Sequence, residues 1–459
     1  MALDMAWLPR VVPNRRKTPT LVRLLALALL GVVCCSGVTH ADTPWVWNLP
    51  VGFPAPKVPP DNPMTVEKVA LGRLLFYDTR LSGNQTQACA SCHHQQLAFT
   101  DGLPLSIGST HETLPRGALS LTNVSYASIL TWANPLLPTL EKQVLVPMFN
   151  ETPVELGLTG HEDELFARLR DDARYRRMFA EAFPGQTDPV SLTSIVQSIT
   201  SFVRTLISGN SPYDRFTNGL DDFALSKSAQ NGVRLFFQER MDCFHCHGGF
   251  DFSASVTFQG KVFDEIQFDN NGLYNIGGTG AYPANNTGLF AFTQVPSDMG
   301  RFRAPTLRNI ALTAPYMHDG TMLTLQGVID HYAAGGRTIT DGPYAGDGSQ
   351  SPYKSAFVHG FSLTAQENQD ALNALESLTD EEFINNPKLS DPFVPVRCPG
   401  DCNYDRSVTI DELLEGIGVA LETTSLATCI DADTNGDGMV TVDELVATAQ
   451  AALHGCPND

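Results

Sequence analysis

The chain has 459 residues, 42% of them hydrophobic, which gives room for about three globular units and excludes disorder throughout. Its 50 acidic and 30 basic side chains leave a formal charge of −20 at pH 7. That balance argues against a nucleic-acid partner, whose phosphates need a basic surface, and favours a basic or neutral one.

In chain order, Arg10, Arg15, Arg16, Lys17 and Arg23 precede an apolar run from Leu24 to Cys35, and Thr39-His40-Ala41 suits signal peptidase. The run is short for a membrane span, and no other segment is long enough. Residues 1–41 therefore read as an export signal cleaved near Ala41, with an uncleaved anchoring helix as the alternative. The mature chain is then periplasmic, without a membrane span, and its formal charge falls to −24 once five positive and one negative charge leave.

A Pro-rich lead from Trp45 to Pro63 enters a first region holding Cys89-Ala90-Ser91-Cys92-His93. A second copy, Cys243-Phe244-His245-Cys246-His247, lies further on. In this pattern two thiols bond to the vinyl groups of one haem and the adjacent imidazole binds its iron. Similar text precedes each copy, Gly72-Arg73-Leu74-Leu75-Phe76 and Gly232-Val233-Arg234-Leu235-Phe236, so the chain reads as a duplication with one haem per repeat.

Between the motifs, residues 162–183 and 191–207 carry helical periodicity. In the second, Ile195, Ile199, Phe202, Val203 and Leu206 share one face, read as core packing. Ser211-Pro212-Tyr213-Asp214 breaks that helix and opens the second region. The Gly- and Asn-rich stretch at 269–287 reads as surface loops, and Pro387, Pro392, Pro395 and Pro399 mark a linker before a separate small domain.

That domain holds two twelve-residue acidic loops. Asp401, Asn403, Asp405, Ser407, Thr409 and Glu412 occupy positions 1, 3, 5, 7, 9 and 12 of an EF-hand loop, and Asp433, Asn435, Asp437, Met439, Thr441 and Glu444 repeat the scheme. Their oxygens suit Ca2+, Met439 through its backbone carbonyl only. Gly438 stands at the sharp-turn position of the second loop and Arg406 at that of the first. The pattern also resembles dockerin-type repeats, so docking competes with calcium stabilisation. Cys398, Cys402, Cys429 and Cys456 suggest two disulfides of open connectivity in an oxidising compartment.

Over roughly residues 60–385 the chain resembles the bacterial dihaem cytochrome c peroxidase and MauG superfamily. The resemblance rests on Leu81-Ser82-Gly83-Asn84, Phe99-Thr100-Asp101-Gly102, Ser211-Pro212-Tyr213-Asp214, and Ala304-Pro305-Thr306-Leu307-Arg308-Asn309 through His318-Asp319-Gly320. Leu130-Thr131-Trp132-Ala133-Asn134-Pro135, Leu140-Glu141-Lys142-Gln143, Val146-Pro147-Met148-Phe149 and Pro153-Val154-Glu155-Leu156-Gly157 look most like the MbnH group, dihaem enzymes linked to methanobactin-associated proteins.

The resemblance implies a mainly α fold. Two cytochrome c-like haem domains, 42–210 (peroxidatic) and 211–390 (electron-transfer), would be followed by a linker at 391–397 and an EF-hand-like calcium module at 398–459. It implies His93 and His247 as iron ligands, and Tyr332 as sixth ligand of the second haem, fourteen residues after His318, where conventional peroxidases place Met. Met317 and Met322 lie nearby but out of register. His111 is the candidate for closing the first haem, two residues out of register, so an open or weakly closed site is expected, with His94 as a surface or neighbouring residue.

Glu155 would be the distal acid that moves protons between peroxide oxygens, Gln143 a hydrogen-bond donor there, and Trp132 the relay between haems. An interhaem Ca2+ would use the carbonyls of Thr313 and Pro315, but Gly117 stands where the family has Asn. The implied activity is reaction with hydrogen peroxide and oxidation of a protein partner at a Trp side chain. The alternatives are a peroxidase fed by a small redox protein, and a non-catalytic electron carrier.

Overall fold

The computed structural model describes residues 43–393 and 398–456, so the expected export signal and the last part of the linker lie outside them. In chain order the helices are α1 (Val66–Tyr77), α2 (Leu140–Gln143), α3 (Leu145–Phe149), α4 (Glu162–Asp171), α5 (Ala173–Ala182), α6 (Leu192–Arg204), α7 (Pro212–Thr217), α8 (Lys227–Phe236), α9 (Phe290–Thr293), α10 (Leu325–Ala333), α11 (Ala365–Glu376), α12 (Glu381–Asn385), α13 (Ile410–Ala420) and α14 (Val442–His454). Long irregular stretches separate them. Among the described residues the sheet content is one antiparallel pair, β1 (Thr338–Ile339) and β2 (Gly346–Asp347). No described helix is long and apolar enough to cross a membrane.

The repeat seen in the sequence is a repeat of helix pairs. In the first unit, α1 crosses α6 so closely that a Cβ on Gly72 would lie 1.9 Å from the Ser198 carbonyl oxygen. In the second, α8 crosses α11 in the same way, and a Cβ on Gly232 would lie 1.9 Å from the Asp370 carbonyl oxygen. Only glycine permits that approach. Ser191 caps α6 and Ser226 caps α8, each accepting from a backbone N–H of its first turn. The expected stripe on α6 is buried along its length, from Ile195 to Leu206.

Asp172 divides the predicted helix over 162–183. Its side chain accepts from Tyr175 N, ending α4 and capping α5. Ser211 and Asp214 form the capping box of α7, and Asp214 also takes both guanidinium nitrogens of Arg308 at 2.8 and 3.0 Å. Arg308 is buried between Asp214 and Asp251, so these two sequence segments form a clamp inside the second unit.

The stretch 269–287 departs from its surface-loop reading. Asn270, Leu273, Asn275, Tyr282 and Asn286 are buried in it. Its asparagines substitute for secondary structure by serving buried backbone groups: Asn275 donates to the Asp347 carbonyl at 2.7 Å and accepts from Gly280 N at 2.7 Å.

The C-terminal module does not stand apart. Val419, Leu426, Cys429, Ile430, Ala432 and Val440 join the apolar cluster of the first unit. Arg73 of α1 donates to the Tyr404 hydroxyl, Arg174 of α5 pairs with Asp433, and Glu181 accepts from Ser425 and the Leu426 backbone. Disulfides Cys398–Cys456 and Cys402–Cys429 close it. A module of this size has little interior of its own, which gives a physical reason for sharing one.

Candidate active site

Each Cys-x-x-Cys-His begins as a tight 3-10 turn, Cys89–Ser91 and Cys243–His245. All four thiols are unpaired. Burial pushes Cys89 and Cys243 up to about 12, so they are neutral SH groups suited to adding across a vinyl double bond. His93 Nδ1 faces the Phe99 carbonyl at 2.7 Å, and His247 Nδ1 faces those of Pro305 and Phe252 at 3.1 and 3.2 Å. Carbonyls only accept, so each Nδ1 carries the proton and each Nε2 keeps a free lone pair for a metal. Burial lowers the pKa of both rings, which favours the neutral, ligating form.

On the first side, a hairpin-like loop bridged at Ile107 and Thr113 supports the Pro153-Val154-Glu155 segment. Ser109 N donates to the Glu155 carbonyl at 2.8 Å, and Glu112 accepts from Val154 N at 3.0 Å. Gly108 lies directly on the Val154 carbonyl, leaving no room for a side chain. The Glu155 carboxyl lies close enough to Cys92 to raise the pKa of that thiol, after burial and Asp101. Burial pushes Glu155 itself up to about 7. Gln143, at the end of α2, has a buried Oε1 with no protein partner. His111 is exposed at the tip of the loop, and His94 is exposed beside its motif.

On the second side, one cavity is lined by Cys243, Cys246, His247, Asn271, Met317 and Tyr332. Tyr332, on α10, is half-buried; burial and the nearby Cys246 and Cys243 raise the pKa of its phenol, and Asn271 hydrogen-bonds to it. Met317 Sδ accepts from Asn271 Nδ2 at 3.2 Å, whereas Met322 is in the core and pairs by backbone with Tyr316. Asn271, in the stretch read as surface, is therefore a site residue that composition concealed.

The cavity continues to Trp132 and to residues 100–104, just past the first motif. Trp132 Nε1 donates to the Gly117 carbonyl at 3.4 Å and its carbonyl accepts from Arg303 N at 2.8 Å. Thr313 and Pro315 also line the cavity. A Cβ on Gly117 would meet the Leu103 carbonyl oxygen at 2.6 Å, so this backbone has no space for the Asn that an interhaem Ca2+ would use. The residues present do not fit that ion.

In the C-terminal module the two acidic loops are superposable in their hydrogen bonding. Asp401 Oδ2 accepts from Arg406 N and Asp433 Oδ2 from Gly438 N, both at 2.9 Å. Asn403 and Asn435 accept from Asp405 N and Asp437 N at 2.8 Å, and those aspartates accept from Ser407 N and Met439 N at 2.9 Å. Thr409 with Glu412, and Thr441 with Glu444, form the capping boxes of α13 and α14. Arg406 holds a left-handed φ of 68° that glycine takes without cost at 438.

The profile of the di-haem cytochrome c peroxidase family matches residues 66–222. Cytochrome-c peroxidase IdrP1 of Pseudomonas sp. (strain SCT) is 33% identical over 405 residues, 84% of this chain and 99% of that protein. The chain belongs to the di-haem cytochrome c peroxidase/MauG family. Methylamine utilization protein MauG of Methylorubrum extorquens is 31% identical over 332 residues, covering 72% of this chain and 83% of the relative. Among solved structures, a MauG-like protein associated with microbial copper homeostasis aligns with TM-score 0.74 and 50% identity over 76% of this chain and 99% of its own. This member is accordingly a peroxide-reactive dihaem oxidoreductase with two c-type haems and a protein redox partner.

Proposed function

We propose that this enzyme is exported to the periplasm and uses hydrogen peroxide to withdraw electrons from a protein partner, the oxidised group being a Trp side chain. The observation that carries the reading is the Tyr332 phenol in the cavity of the second haem, where a phenolate favours higher oxidation states of iron that a thioether disfavours. The 50% identity to the MauG-like protein associated with copper homeostasis supports it. When bound, the two haems supply the peroxide chemistry and store its two oxidising equivalents.

Around them, Cys89, Cys92, Cys243 and Cys246 form the thioethers, and His93 and His247 present Nε2 to iron. Glu155, poised near neutrality, takes a proton from one peroxide oxygen and returns it to the other, and Gln143 orients it. Trp132 passes electrons between the haems. The exposed position of His111 favours an open first site over a closed carrier. Met317 in the same cavity as Tyr332 is the observation favouring the second reading, a peroxidase fed by a small redox protein.

Residues 42–210 and 211–390 are the two haem domains in this proposal, and 398–459 a calcium-binding module that also docks. Docking is supported by Ile410, Leu414 and Leu421, which share one face of α13 and are exposed, and by Val442, Val446 and Leu453, which repeat the pattern on α14.

The test is electronic absorption and EPR of the ferric holoprotein before and after stoichiometric peroxide. Loss of a high-spin signal with a long-lived near-infrared band shared by both haems is expected. Two low-spin signals indifferent to peroxide would sink the proposal. Conversion to a state that a reduced small redox protein discharges, and a protein Trp does not, would favour the second reading.

A further inference from the structure

The cavity holds an imidazole with no role so far. His318 is 3% exposed, and its Nε2 is buried without a protein partner. Its ring stacks on Phe302 at 3.6 Å between centroids and meets Trp132 edge-on at 6.5 Å. The protonation of that ring can be deduced from its neighbours. Arg116 Nε, which can only donate, lies 2.9 Å from Asn286 Oδ1, and this fixes the Asn286 amide. Asn286 Nδ2 must then face His318 Nδ1, at 2.8 Å, and donate to it. Nδ1 is therefore the acceptor and the ring hydrogen sits on Nε2. Burial holds this imidazole down at about 3, so it stays neutral across the working pH range.

A buried N–H without an acceptor costs about 1–3 kcal/mol, so the protein sets up this donor for a group that its own atoms do not provide. The cavity would hold the second haem, with Cys243 and Cys246 bonded at its vinyl edge. The opposite porphyrin edge carries two propionates, its only anionic acceptors. Tyr332 lies beside both thiols, whereas His318 sits among Asn286, Phe302 and Trp132, with Arg116 behind Asn286. The imidazole thus lies away from the thioether edge. Arg116 is itself half-buried, with its guanidinium over the Phe302 ring, and adds positive charge behind the donor.

We propose that the chain Arg116–Asn286–His318 is an anion cradle in which His318 Nε2–H donates to a propionate carboxylate of the second haem, beside Trp132. The chain sets that carboxylate's charge state and hence how strongly the haem's potential depends on pH. No electron or proton is transferred in the binding itself.

The experiment is a spectroelectrochemical titration of the second haem in the holoprotein as a function of pH, at matched covalent haem content and without peroxide. This keeps its outcome independent of the proposed oxidation of a Trp-bearing partner. In H318F the propionate loses a donor to its ionised form, so its titration moves up by about one pH unit or more. H318Q, which restores an amide N–H, recovers most of the difference. F302L, which loses the stacking partner and keeps the donor, leaves the titration in place. Should H318F not take up haem, R116L frees the Asn286 amide to rotate and gives a shift of the same sign. Superimposable curves for the wild type and the haem-loaded His318 or Arg116 variants would overturn the cradle and leave His318 a packing residue.

Discussion

Replacing Glu155 by Gln tests the proposed proton transfer most directly. The carboxyl is pushed from 4.5 to about 7 by burial, with no cation to offset it. At pH 6 about nine in ten molecules then carry the proton and at pH 8 about one in ten. A base that must first take a proton from peroxide therefore gains roughly tenfold in second-order rate between those values. Stopped-flow mixing with peroxide across pH 5–9 reads this step. E155Q should react about 100- to 10,000-fold more slowly and with a flat profile, a barrier increase of about 3–5 kcal/mol.

The stability change has the opposite sense. The folded pKa is raised, so the folded state holds the proton more tightly than the unfolded chain does. Stability is intact below about 4.5 and is lost as pH rises through 7. E155Q escapes that loss and should melt above the wild type at pH 8 but level with it at pH 4. The gain is at most about 3 kcal/mol, reduced by solvent reaching the half-buried carboxyl. A rate within threefold of wild type, with the step near pH 7 still present, would refute the assignment.

Four further outcomes follow from the packing. G72A and G232A each place a methyl on a carbonyl oxygen of the crossing helix, and each should lower stability by about 3 kcal/mol or more, read as a fall in Tm of the holoprotein. Y332F removes the phenolate and should change the low-spin EPR signal of the second haem while leaving that of the first, whereas retention of both spectra would favour Met317. EDTA should lower the Tm of the wild type, and D433N with E444Q should abolish that dependence; a chelator-insensitive melt would retire the calcium assignment. C402S with C429S should cost about 2–5 kcal/mol, because it reopens a loop of 27 residues in a module with little interior of its own.

Much of the site was legible because its chemistry is local in sequence. Cys-x-x-Cys-His is a single turn, and the paired Gly-x-x-Leu-Phe text anticipated the crossing helices, since only a residue without Cβ fits at 72 and 232. Tyr332 was expected by counting from His318, and the two residues line one cavity, with Tyr332 on α10. Asn271, Asn286 and Arg116 were not legible. Each acts through tertiary contacts with residues tens of positions away, and their segments are irregular, so no periodicity marks them. The asparagine-rich stretch misled for the same reason: an Asn serving a buried backbone group and an Asn in a solvated turn are identical as text. The Gly117 departure was visible in the sequence, but its meaning, a backbone pressed on the Leu103 carbonyl, was not.

The position of the C-terminal module makes its acidic loops more than an appendage. Arg174 Nε donates to Asp433 Oδ2 at 3.0 Å, and Arg174 Nη2 to the Asp433 carbonyl at 2.9 Å. Asp433 is the first position of the second loop and is buried, so the residue that would begin the calcium shell also anchors the module to α5. A Cβ on Gly438 would meet Arg174 Cα at 2.7 Å, so the glycine that shapes the loop also permits the approach. Ion binding and docking therefore share atoms, and linkage requires that each strengthen the other or compete. The geometry favours strengthening, since Arg174 occupies Oδ2 and leaves Oδ1 toward the loop, where it accepts from Asp437 N. Calcium in the second loop would then stiffen the face of the first haem unit formed by α1 and α5, at the far end of the chain from the residues that bind it.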